Sequence, residues 1–320
     1  MGFSRMAEEL TANSTQNAPT GPRILILGAA GQLGIELRRS FAASGPVTAA
    51  DRSSGDLANP EQVRTLIRCV QPEIILNAAA YTAVDRAESE PELARAINAE
   101  GPAMLAEEAL KLNALLVHYS TDYVFDGAKS GPWIETDPTG PLSVYGSSKL
   151  AGEHAIQSTE CRHLIFRTSW VYGPHGKNFL LTMLRLGRER DKLSIVDDQI
   201  GAPTTSLELA RATHAIVMGI AAGSFGAARN WTGTYHMTCA GSASWFGFAQ
   251  SIFMRAAVVL GSKVPVLTPI PTEAYPTPAA RPRNSILSNE KLHACFGVQL
   301  SSWESALDEV IDCLKNQSPQ

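Results

Sequence analysis

The stretch "ILILGAAGQLGIELRRSF" runs from Ile24 to Phe41 and decides how the rest is read. Four apolar β-formers lead into Gly28-x-x-Gly31-x-x-Gly34, and an amphipathic helical pattern follows from Gln32. In that order each glycine has a job: Gly28 allows the tight turn, Gly31 lets the backbone approach a pyrophosphate, and Gly34 lets the helix pack close on its strand. The helix start, with Gln32 and Leu33 beside it, offers unpaired N–H groups and the positive end of the helix dipole to an anion. The stretch therefore reads as the first β-turn-α unit of a dinucleotide-binding sheet.

The same rhythm continues outward. Short, nearly continuous apolar runs at Ile24–Leu27, Val47–Ala50, Ile74–Asn77, Leu115–Ser120 and Leu164–Thr168 suit strands buried on both faces. Helical patterns lie between them at Gln32–Ala43, Glu61–Val70, Glu92–Leu112, with a break near Gly101-Pro102, and Tyr145–Ser158. Repeated β-α units imply an α/β, Rossmann-like doubly wound parallel sheet. After Ser169 the pattern is mixed. Helices are expected at Phe179–Glu189, Leu207–Ile220, Trp245–Leu260 and Trp303–Leu314, and short strands at Ser194–Val196 and Thr234–Thr238. The proline-rich "TPIPTEAYPTPAARPRNS" (Thr268–Ser285) reads as loop. We expect a flexible tail over 1–22, a nucleotide-binding domain over 23–168 joined by segments near 190–240, and a smaller, mixed, interleaved substrate-binding lobe over 169–320.

Bulk properties exclude several classes. The 320 residues are 44% hydrophobic and 18% charged, with a formal charge of −4, which gives no reason to expect nucleic acid or an anionic membrane as a partner. No apolar run approaches the roughly 20 residues of a membrane span. Cys69, Cys161, Cys239, Cys295 and Cys313 are scattered and form no C-x-x-C, which fits a reducing, cytoplasmic compartment better than disulfides or zinc.

The second strand ends in "TAADRSSGDLANP" (Thr48–Pro60). Asp51 can accept from an adenosine ribose 2′-hydroxyl, favouring NADH, whereas Arg52 can hold a 2′-phosphate, favouring NADPH; both cofactors stay open. Asp56 and Leu57 fall where a loop flanks the adenine, and Ala80, Tyr81 and Thr82, after the third strand, border the ribose and nicotinamide. "LVHYSTDYVFDG" (Leu116–Gly127) puts Thr121 and Asp122 at the carboxyl edge of the fourth strand, where ligands sit in open α/β sheets. "PLSVYGSSKLAGEHAI" (Pro141–Ile156) sets Tyr145 one helical turn before Lys149, an acid/base pair on one helix face. A nearby ammonium should lower the phenol pKa, by about three units or about 4 kcal/mol.

The glycine motif, "STDYVFDG" and Tyr145-x-x-x-Lys149 together resemble the extended short-chain dehydrogenase/reductases. "NAAAYTAVDRAESEPELA" (Asn77–Ala94), "HLIFRTSWVYG" (His163–Gly173), "DDQIGAPT" (Asp197–Thr204) and "YPTPAARPRNSIL" (Tyr275–Leu287) narrow the resemblance to the dTDP-4-dehydrorhamnose reductase family. It implies NAD(P)H-dependent reduction of a nucleotide-linked 4-keto sugar, dTDP-4-dehydro-β-L-rhamnose, to dTDP-L-rhamnose. In that reading Tyr145 gives a proton to the C4 oxygen, Lys149 holds the nicotinamide ribose, and Thr121 bonds the substrate oxygen. Trp170 faces the sugar or nucleotide, Asp122 orients sugar hydroxyls, and Asn178, Gln199, Arg281, Asn284 and Ser285 are candidate contacts to the nucleotide. Some members of the family form a homodimer around Mg2+ through glutamates. Glu36 and Glu290 occupy plausible positions, but Leu207 stands where the third acid is expected and Glu208 is one place on. One residue turns a helical side chain by about 100°, which argues against the metal and the dimer it would bridge. Rival readings are a reductase for another nucleotide-4-keto-6-deoxysugar and a non-catalytic NADP-binding regulatory subunit.

Overall fold

The computed structural model describes residues 20–225, 231–261 and 263–317; the expected tail lies outside these apart from its last three residues. The chain opens with β1 (Ile24–Leu27), α1 (Gln32–Phe41), β2 (Val47–Ala50), α2 (Pro60–Val70) and β3 (Ile74–Asn77). Short helices α3 (Val84–Ala87) and α4 (Pro91–Arg95) lead through a π-helical turn at Ala96–Glu100 into α5 (Gly101–Leu112). Next come β4 (Leu115–Thr121), α6 (Val144–Ser158), β5 (His163–Thr168), β6 (Val171–Tyr172), α7 (Phe179–Glu189) and β7 (Lys192–Val196). Then follow β8 (Ile200–Gly201), β9 (Thr204–Thr205), α8 (Ser206–Ala221), β10 (Gly233–His236) and β11 (Ala243–Ser244). The chain ends through α9 (Trp245–Leu260), β12 (Val266–Ile270), α10 (Glu290–Phe296) and α11 (Trp303–Gln317).

Six strands form one parallel sheet in the order β10-β5-β4-β3-β1-β2. Alternation along each strand divides the core between two faces. Ile24, Ile26, Leu76 and Val117 pack with α1 and α8 through Leu37, Phe41, Leu209 and Ile216. Leu25, Leu27, Ile75 and Leu116 pack with α2 and α5 through Val63, Ile67, Leu105 and Ala109. Each of these fully buried leucines and isoleucines contributes roughly 1.5–3 kcal/mol by leaving water. β1 pairs with β2 on one side and β3 on the other, Leu27 lying between Ala50 and Asn77. The strand order reverses there, and a crevice opens beyond the carboxyl ends.

Three expectations need correction. The helical path continues through Gly101-Pro102, and the irregularity is the π turn just before it; Pro102 removes a backbone donor, which a widened preceding turn accommodates. Thr268–Ile270 is not loop but the end of β12, running parallel to β7 with Pro269 opposite Ile195. A two-stranded ribbon leaves an open side on which a missing N–H costs nothing. Finally, of the segments near 190–240 expected to join the nucleotide-binding domain, β10 does, extending the sheet beyond β5, whereas β7 pairs with β12 instead.

One buried ion pair ties together the elements that meet at the crevice. Arg167 of β5 donates from Nε at 3.0 and 3.1 Å and from Nη2 at 2.6 Å to the carboxylate of Glu153 on α6. Ser120 of β4 donates to the same carboxylate. The guanidinium lies 5.1 Å above the Phe125 ring, which stacks on Trp133 at 4.5 Å. Among the described residues, no helix is long and apolar enough to cross a membrane.

Candidate active site

Gly28 ends β1 with φ +75°, a conformation L side chains rarely adopt, and a Cβ there would lie 2.6 Å from the Ala79 nitrogen. At Gly34 a Cβ would come within 2.1 Å of the Gly28 carbonyl, so α1 can seat on β1 only without a side chain. Gly31 is different: its open side faces the crevice, with Gly28 O the nearest atom at 3.2 Å. As N-cap of α1 it supplies no side-chain cap, so the first N–H groups of α1 remain available to an anion. This cradle fits a dinucleotide pyrophosphate. Gly31→Val should therefore weaken NADPH binding by about 100-fold, since isopropyl bulk would fill the approach. Fluorescence titration of NADPH checks this; unchanged affinity would mean the anion sits elsewhere.

Two clefts meet at this turn. One, of 480 Å³, is lined by Gly28, Asp51, Arg52, Asp56, Leu57 and Tyr81. The other, of 550 Å³, holds Gln32, Leu33, Thr121, Asp122, Tyr145, Lys149, Trp170 and Trp245. Gly31, Ala80 and Thr82 line both and join them. A larger groove of 730 Å³ runs past Glu92, Arg95, Pro141 and Leu142, and none of Thr121, Tyr145 or Lys149 lines it. In the first cleft Asp51 Oδ1 accepts from the backbone and hydroxyl of Ser53 at 2.8 and 2.6 Å, bonds that hold its carboxyl below the usual range. Arg52 stands largely in solvent, 3.4 Å from Asp56.

The loop bordering both clefts is held by a residue that sequence reasoning passed over. Asn98, inside the π turn, accepts from Tyr81 N at 2.9 Å and donates to Tyr81 O and to Ser148 Oγ, each at 3.0 Å. It couples the Ala80–Thr82 loop to α6 beside Lys149. π-helical turns inside helices occur often at functional sites; the readable signal was a polar residue in the apolar helical run "ARAINAEGPAM".

Helix α6 begins at a Ser143 cap, whose hydroxyl accepts from Gly146 N at 3.2 Å, and its first turns carry Tyr145 and Lys149 into the cleft. Tyr145 lies edge-on to Tyr123 at 5.7 Å, with the Thr121 hydroxyl beside its phenol. Its phenol is not lowered as the spacing suggested. Desolvation pushes it up to about 12, and the nearby Thr121 hydroxyl offsets only part of this. The reason is where the lysine points: Lys149 Nζ donates to Tyr119 O at 2.7 Å and lies 3.1 Å from His118 Nε2. Burial pushes that ammonium down to about 8, with Glu153 opposing. The Thr121 hydroxyl donates to Asp122 Oδ1 at 2.9 Å, so bonding a substrate oxygen requires it to rotate. Asp122 is pushed up to about 6 by burial, which the neighbouring Ser285 and Thr121 hydroxyls only partly offset. Its Oδ2 is buried without a hydrogen-bond partner, an exception among buried polar atoms.

Trp170 takes φ +46° and stacks on Trp245 at 3.5 Å with planes 6° apart. Trp245 was read from sequence only as the first residue of a helix. Gln199 does not reach the cleft wall directly; it accepts from Trp245 Nε1 at 3.2 Å and donates to Thr272. Arg281 pairs with Asp85 at 2.8 Å. Asn178 and Asn284 sit behind the lining. Asn178 caps α7 and donates to Gly173 O, to His175 O and, at 3.3 Å, to Oε1 of the cleft residue Gln32. Asn284 donates to Lys129 O and Gly131 O at 2.6 and 2.8 Å. Neither lines the cleft, because each satisfies loop carbonyls that would otherwise lack donors.

Glu36, Glu208 and Glu290 each have separate surroundings. Glu36 is buried against Arg39 at 2.8 Å and His175 at 3.3 Å, Glu208 accepts from Ser301 N and pairs with Arg211, and Glu290 starts α10. Among the described residues no group of three or more His, Cys, Asp or Glu could hold a metal ion.

Over almost its whole described length the chain is similar to known proteins. The family model for the RmlD substrate binding domain covers residues 22–316. A dTDP-4-dehydrorhamnose reductase of Burkholderia thailandensis is 47% identical, over 92% of this chain and all of its own. One from Escherichia coli K12 is 45% identical, over 90% of this chain and 97% of its own. The crystal structure of the Bacillus anthracis dTDP-4-dehydrorhamnose reductase in complex with NADP superposes with a TM-score of 0.83 at 38% identity, covering 92% of this chain and 99% of its own. The chain belongs to the RmlD family of dTDP-4-dehydrorhamnose reductases.

Proposed function

We propose that this chain reduces the C4 keto group of dTDP-4-dehydro-β-L-rhamnose to give dTDP-L-rhamnose, the last step of dTDP-rhamnose synthesis. The observation that carries the reading is one cleft containing Thr121, Tyr145, Lys149, Trp170 and Trp245, continuous with the glycine cradle. Gly31 and the start of α1 would hold the pyrophosphate of NADPH or NADH, Asp51 to Ser53 the adenosine ribose, and Ala80 to Thr82 with Lys149 the other ribose. Bound there, the reduced nicotinamide supplies hydride to C4.

Tyr145 supplies the matching proton. With a phenol pushed up to about 12 it is protonated at pH 7, which a reduction requires of its acid. As C4 accepts the hydride, the phenol O–H breaks and an O–H forms on the sugar oxygen, leaving alcohol and phenolate. Thr121, rotated from Asp122, donates to that oxygen while its charge builds. Asp122, mostly ionised above its pKa of about 6, can then accept a sugar hydroxyl. The Trp170–Trp245 stack offers apolar faces to the nucleotide-sugar. We place the reaction in the cytoplasm, whose reducing conditions suit five free thiols.

Asp51 already accepts from Ser53, while the exposed Arg52 is held only by a 3.4 Å pair with Asp56, so this rim suits a 2′-phosphate. Arg52→Ala should raise KM for NADPH about tenfold, the worth of one exposed charge-assisted bond, and change KM for NADH less than about twofold. Equal changes for both cofactors would move 2′ recognition elsewhere. The reading as a whole is tested by incubation with dTDP-4-keto-L-rhamnose and each cofactor, with the product identified by NMR. Cofactor consumption matched to dTDP-L-rhamnose is expected. Cofactor binding without turnover, or the other C4 epimer, would overturn it.

A further inference from the structure

His118 and Asn77 are buried behind the reacting centre, and the proton transfer to the sugar uses neither. Asn77 closes β3, and its Oδ1 accepts from Ala79 N at 3.2 Å. That leaves the amide nitrogen facing His118 Nδ1 at 3.0 Å. An amide nitrogen only donates, so Nδ1 is the bare, accepting nitrogen. Burial, and secondly the charge of Lys149, hold His118 well below the usual range and keep the imidazole neutral; its one hydrogen is therefore on Nε2. Nε2 lies 3.1 Å from Lys149 Nζ, which also donates to Tyr119 O. An imidazole N–H and an ammonium are both donors and repel. The same N–H and the lone pair of a neutral amine attract.

We propose that His118, fixed by Asn77 in its Nε2–H tautomer, is a positioning residue that opposes the ammonium form of Lys149 and brings its titration into the working pH range. The other charged or titratable groups around Lys149 are Glu153 on its own helix, bound to Arg167 of β5, Asp122 beyond β4, and Tyr145 one turn away. Glu153 alone among these favours the ammonium appreciably, and burial outweighs it. Once Tyr145 has given up its proton, an N–H of Lys149 can break and its proton, carried by water in the cleft that both residues line, re-forms the phenol O–H. The resulting neutral amine accepts from His118, and solvent later returns the proton. A lysine at the ordinary value of about 10.4 would release that proton less readily.

The inference rests on the reductase reading only for its kinetic arm. The first measurement is the 15N spectrum of histidine-labelled protein without cofactor, between about pH 6 and 9, with His118 assigned by its loss in His118→Gln. We expect a neutral Nε2–H tautomer throughout, its shifts moving as Lys149 titrates. An Nδ1–H tautomer overturns the proposal. The second measurement uses Asn77→Asp, whose carboxylate accepts from both Ala79 N–H and an Nδ1–H, moving the imidazole hydrogen and presenting a bare Nε2 to the ammonium. Activity that requires the Lys149 proton falls as pH rises through the lysine pKa. With that pKa raised, the alkaline limb of kcat/KM should move up by about one pH unit. A switched tautomer with an unmoved limb overturns the proposal, and so does a moved limb without the switch, since added charge alone would then act. Should Asn77→Asp not fold, the wild-type spectrum decides. The expected tautomer in a protein that never reduces keto-sugar upholds this inference and removes the reductase reading instead.

Discussion

Tyr145→Phe should lower kcat by about 10²- to 10⁴-fold, or about 3–5 kcal/mol in barrier, the usual worth of a positioned general acid. The phenylalanine ring keeps the edge contact to Tyr123 at 5.7 Å, so the cleft wall is preserved and only the transferable proton is lost. NADPH affinity should stay within about twofold of wild type, because the pyrophosphate and adenosine contacts lie in the adjoining cleft around Gly28, Asp51 and Arg52. Steady-state turnover together with NADPH titration separates the two quantities. Near-wild-type turnover would remove Tyr145 from the chemistry, whereas parallel loss of kcat and cofactor affinity would mean that the cleft itself had changed.

The second large effect concerns stability. Glu153→Gln keeps the side chain's volume but leaves Arg167, 4% exposed, without its counter-charge. Breaking one half of a buried pair costs about 3–5 kcal/mol, and the Arg167 Nη1 atom already lacks a partner. Denaturant unfolding should show the loss, with Tm falling by on the order of 10 °C. The double replacement Glu153→Met, Arg167→Met should recover most of it, since well-packed apolar residues often substitute for a buried pair at little cost. Glu153→Gln within about 1 kcal/mol of wild type would mean water reaches the guanidinium. The pair also spans β4, β5 and α6 through Ser120, so its loss should disturb the placement of Thr121, Tyr145 and Lys149.

What could be read in advance follows from what local physics determines. β1, β3, β4 and β5 were legible because burial on both faces demands nearly unbroken apolar runs, and Gly28-x-x-Gly31-x-x-Gly34 because its turn and close packing exclude side chains. Thr121, Tyr145 and Lys149 were legible as residue types at a spacing. The direction in which Lys149 points was not, because it depends on His118 and the Tyr119 carbonyl, groups on another element. Asn98 escaped notice because its value lies in reaching Tyr81 and Ser148 from a π turn that no periodicity marks. Asn178 and Asn284 show the opposite: polar loop residues look available until the carbonyls they satisfy are placed. β12 was hidden by Pro269, which disqualifies a central strand but not one side of a ribbon.

The position of β10 bears on how the chain is made. β10 pairs with β5 from Gly233 onward, after α7, β7 and α8 have intervened. While synthesis has passed Thr168 but not His236, the outer edge of β5 is an open row of donors and acceptors able to capture a neighbouring nascent chain. The sheet is thus sealed late, by residues from the far side of an insertion, and a fragment ending near Thr168 would carry the whole glycine cradle yet be prone to self-association.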